Sequence, residues 1–98
     1  MAKPRSPVPQ EVSAELGRLA ERWHQLPLGE ALWRVPQVRA VVESLAGEAV
    51  PDLGPAVLMD QLTVMVHDGC RDAAVTERAG TEFAEQLAER LAGLRRAL

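Results

Sequence analysis

The sequence predicts an all-α fold, a compact bundle of four main helices plus a short helical segment, and three observations carry that expectation. The 98 residues include 15 Ala, 13 Leu and 11 Val but no Ile or Tyr, with Trp23, Trp33 and Phe83 as the only aromatics; Ala and Leu lead the helix propensities, whereas strands favour β-branched and aromatic residues. Apolar residues recur at spacings of three and four near both ends of the chain, which is the period of a helix face. Proline and glycine fall at the places where helices start and stop.

Residues 1–8 carry Pro4 and Pro7 among polar side chains and read as a loose arm, leaving 9–98 as one domain. Pro9 suits the first position of a helix over about 9–26, with Glu11 near the positive end of its dipole. Val12, Leu16, Leu19, Trp23 and Leu26 make a single apolar seam along it, flanked by charge. Pro27 and Gly29 end that helix. A short helical segment at 28–34 then precedes Pro36, which is expected to stop it and to open the next helix over 36–46. Val38, Val41, Val42 and Leu45 form the apolar face of that second helix, and Gly47 stops it.

After a loop from Gly47 to Gly54, Pro55 opens a third helix that is expected to close at Gly69. It is apolar nearly all round, the pattern of a central, buried helix. Thr76 is placed as the N-cap of the last helix, 76–96, with Glu77 behind it. Its seam is Phe83, Leu87, Leu91, Leu94 and Leu98. Beside the seam lies a row of small residues, Gly80, Ala84, Ala88 and Ala92, read as a groove in which another helix packs.

Composition excludes several classes of function. The net charge is −3, the isoelectric point is near 5.3, and 47% of residues are hydrophobic against 26% charged, which describes a soluble globular domain and not a basic nucleic-acid binder. Cys70 is the only cysteine, so neither an internal disulfide nor a cysteine-rich zinc site can form. The first ten residues lack the apolar run of a secretory signal, and the most apolar stretch, 56–66, is too short to span a bilayer. A cytoplasmic location is expected.

The densest group of reactive side chains is His67, Asp68, Cys70, Arg71 and Asp72, with Asp60 on the same side of the third helix as His67. Cys70 with His67 is the outline of a thiol nucleophile, and His67, Cys70, Asp72 and His24 are the available metal ligands. Neither pattern has the further groups that the chemistry needs. The simpler reading makes Cys70 a small buried hydrophobe and Asp60, Thr63, His67 and Arg71 a solvated stripe. No catalytic residue, metal ligand or cofactor is therefore assigned.

The expectation for function is a non-catalytic interaction or dimerisation module. Its motive is an excess of apolar faces over what a short chain covers by itself. The candidate interface is Trp33, Phe83, Leu87, Leu91 and Leu94, with Trp33 as either a plug over the bundle or an anchor for a partner. The expected partner is a second copy or another protein; nucleic acid is disfavoured. Two alternatives remain: a small DNA-binding regulator that uses the terminal arm and the Arg-rich helix end at Arg90, Arg95 and Arg96, and a small Cys- or metal-dependent enzyme centred on His67 and Cys70.

Overall fold

The computed structural model describes residues 7–98. They form four helices, α1 (Gln10–Gln25), α2 (Leu28–Ala46), α3 (Pro55–Ala73) and α4 (Glu77–Ala97), and no strand among the described residues. Most of the expected arm lies outside the described residues; within it, Val8 packs against the core.

The ends behave as the local chemistry requires. Pro9 stands just before α1 in an extended conformation and its carbonyl accepts from Ser13 N–H at 3.0 Å. Gly47 closes α2 in the left-handed region at φ 73°, where its N–H donates to the Glu43 carbonyl at 2.9 Å; a residue with a Cβ is strained there. Pro55 supplies the first turn of α3, and the Thr76 hydroxyl accepts from Ala79 N–H at 3.0 Å to cap α4.

Two expected boundaries are corrected. The short segment at 28–34 and the helix at 36–46 are one helix, α2, which runs straight through Pro36. Proline removes one amide donor and leaves the Leu32 carbonyl without its helical partner. Leu32 and Pro36 both face solvent, so water can take that bond. On the opposite side, Ala31, Val38 and Val42 are buried with Val35 and Leu45 packed beside them. That seam has spacings of four, three, four and three across Pro36, and its burial holds the two halves in register.

The second correction concerns Gly69, which does not end α3; the helix continues to Ala73. Gly69 sits where α3 passes α4. A Cβ added there would lie 3.0 Å from Phe83 Cζ and 3.9 Å from Leu45 Cδ2, so the glycine is a contact position between helices. Nor is α3 buried all round. One face, Leu58, Met59, Leu62, Val66 and Cys70, is buried, while Asp60, Thr63, Val64 and His67 are exposed.

The contacts define the arrangement. Helices α1 and α4 pair extensively, α2 and α3 do the same, and α3 joins the pairs by touching α4 and α1. Trp23 Nε1–H donates to the Pro55 carbonyl at 3.0 Å and Arg22 to the main-chain oxygen of Leu98 at 2.6 Å, which brings the end of α1, the start of α3 and the end of α4 together. At the other end, Gly69 of α3 meets Leu45 of α2 and Phe83 of α4. Helices α1 and α4 therefore run one way, and α2 and α3 the other. The small-residue row of α4 does receive a helix, and that helix is α1: Ala88 and Ala92 line a shared groove with Ala14, Glu15 and Arg18. The core is made of Val12 and Leu19, Val38 and Val42, Leu62 and Val66, and Leu91, all fully buried.

The loop that returns from α2 to α3 is held by polar contacts. Arg39 donates to the Val50 carbonyl at 2.7 Å and pairs with Glu43 at 3.1 Å and Asp52 at 3.4 Å, while Gln61 donates to the Pro51 carbonyl at 3.0 Å.

Replacing Pro36 with Ala restores the amide donor for Leu32 without disturbing any buried residue. Pro36→Ala is expected to stabilise the protein by about 1–3 kcal/mol, read as a raised midpoint in thermal and denaturant unfolding.

Candidate functional site: an uncharged outer face on α2

The reactive cluster does not assemble. Cys70 is buried at 4% exposure on the inner face of α3, whereas His67 points to solvent, its nearest acidic partner being Asp68 at 4.0 Å. Three residues apart, the two are neighbours on the helix surface, but the edge of the core falls between them, with Cys70 inside and His67 outside. Asp60, Thr63, His67 and Arg71 are all exposed, as the solvated-stripe reading expects. Within it, the Thr63 hydroxyl donates to the Met59 carbonyl at 2.8 Å, and Arg71 pairs with Asp68 at 3.1 Å. Burial also pushes the Cys70 thiol pKa up, which suppresses the thiolate. Among the described residues no three His, Cys, Asp or Glu side chains are placed to hold a metal ion.

The arginines offered as a nucleic-acid contact are engaged within the chain. Arg90 donates to the Ser44 hydroxyl at 2.9 Å, Arg95 pairs with Glu15 at 3.2 Å and Arg96 with Glu89 at 3.4 Å. Among the described residues no helix is long and apolar enough to cross a membrane.

The candidate interface residues separate into distinct environments. Leu87 and Leu91 lie in the chain's own core at 3% and 0% exposure. Phe83 and Leu94 are half-buried and packed against that core. Trp33 stands 75% exposed, with Leu28 at 69% and Leu32 at 53% beside it.

These three belong to one surface. On α2, Leu28, Leu32, Pro36 and Ala40 form a row four residues apart, and Gly29, Trp33 and Gln37 form the adjoining row. All seven are exposed, none is charged, and only Gln37 is polar. The outer faces of α1 and α4 are quite different. Exposed Glu11, Arg18, Glu21 and Arg22 line the one, and Arg78, Glu82, Glu85 and Glu89 the other. Isolated exposed leucines are ordinary, but a contiguous apolar face is a recognised mark of an interaction site.

Val35, Pro36, Arg39, Ala40, Glu43 and Asp52 line a groove of about 400 Å³ along this face. Half of that lining is apolar, Val35, Pro36 and Ala40, and half is the Arg39, Glu43 and Asp52 cluster that fixes the loop. On the other flank, Arg34 pairs with Glu30 at 3.5 Å. The α2 face is thus an apolar strip bordered by ion pairs on both flanks. Sequence reasoning singled out Trp33 but missed the strip, because a helix interrupted at Pro36 does not place Leu32 and Trp33 beside Pro36, Gln37 and Ala40. The continuous seam from Ala31 to Leu45 was the available signal.

Two outcomes test this assignment of core and surface. Leu87→Glu, which puts a charge into the core, is expected to cost more than about 3 kcal/mol and abolish cooperative unfolding, whereas Leu28→Glu leaves stability within about 0.5 kcal/mol; circular dichroism melts distinguish them. Cys70 is expected to react slowly with a thiol reagent in the native protein and rapidly in denaturant. Because its pKa is raised by folding, stability is fully present below the ordinary thiol pKa and falls as pH rises through that range, where the unfolded chain alone releases the proton. Comparison with protein-family models, with curated proteins and with solved structures finds no match, so the reading of this face rests on its residues.

Proposed function

We propose that this chain is a non-catalytic helical interaction module whose docking face is the exposed strip on the first half of α2. The observation that carries the reading is the strip itself: three turns of helix surface, centred on Trp33, with no charged residue in it and, among the described residues, no element packed over it. Exposed tryptophan is a costly feature for a solitary domain and a common anchor at interfaces, where a large rigid side chain fills a partner's pocket at low entropic cost. The apolar seams of α1 and α4, which first suggested a partner, are matched to each other inside the chain. Among the described residues, what remains without a match is the face on α2. A cytoplasmic setting is part of the proposal, in keeping with a single, buried thiol.

The reading treats the surface as a docking site, so its loss should remove binding and leave the fold. Immobilised wild-type protein is expected to retain a defined partner, a further copy of itself included, that immobilised Trp33→Glu does not retain, while Glu85→Ala on the α4 surface retains it fully. Equal retention by wild type and Trp33→Glu would contradict the proposal.

A further inference from the structure

We draw no further inference here: the strongest candidate, the exposed apolar face of α2 around Trp33, belongs to the site already described, and nothing among the described residues shows what covers it.

Discussion

The two helix pairs of this protein meet along a single face of α3, and the rest of the structure depends on its burial. Leu58, Leu62, Val66 and Cys70 recur every four residues on that face and, with Met59, are all buried. Leu62 and Val66 are completely enclosed, as are Leu19 of α1, Val38 and Val42 of α2, and Leu91 of α4. At about 1.5–3 kcal/mol for each fully buried aliphatic side chain, this shared layer outweighs any single polar contact in the molecule. The Trp23 indole then fixes the end of α1 to the start of α3 through the Pro55 carbonyl at 3.0 Å. Such a bond adds about 1 kcal/mol and chiefly sets orientation.

Burial along α3 also decides what is left on the surface. Once α1 lies in the small-residue groove of α4 and the inner seam of α2 lies on α3, each long apolar seam has an internal partner. The exception is the outer strip of α2 around Trp33. It is exposed because α2 packs mainly on α3 and only marginally on α1 and α4. The side chains that keep the groove's rim in place, Arg39 with Glu43 and Asp52, also hold the connecting loop, so the shape of the docking surface is tied to the stability of the loop.

Much of this was legible in the residues. The helical class, the caps at Gly47, Pro55 and Thr76, and the inward positions of Val12, Leu19, Trp23, Val38 and Val42 follow from spacing and local backbone chemistry, which do not require knowledge of the fold. Pro36 and Gly69 misled because each is a strong local signal overruled by packing. Pro36 is tolerated where its ring faces water and the seam behind it is continuous; Gly69 is kept for the ring of Phe83, not for a left-handed turn. The candidate site was legible at one residue. Trp33 stood out by type, but its neighbours on the strip become neighbours only when α2 is unbroken. The pairing of α1 with α4 and of α2 with α3 is a long-range outcome that local patterning does not contain, so spacing alone does not distinguish Leu87 and Leu91, which lie in the core, from a face offered to a partner.

The central claim is that the two tryptophans have opposite placements, with Trp23 inside the bundle and Trp33 on the exposed face of α2. Fluorine NMR of protein labelled with 5-fluorotryptophan follows both at once, without a mutation. On titration with a soluble paramagnetic agent, the account predicts that the Trp33 resonance broadens strongly while the Trp23 resonance is little affected. Equal broadening of the two resonances, or a Trp23 resonance that broadens more than that of Trp33, would contradict it.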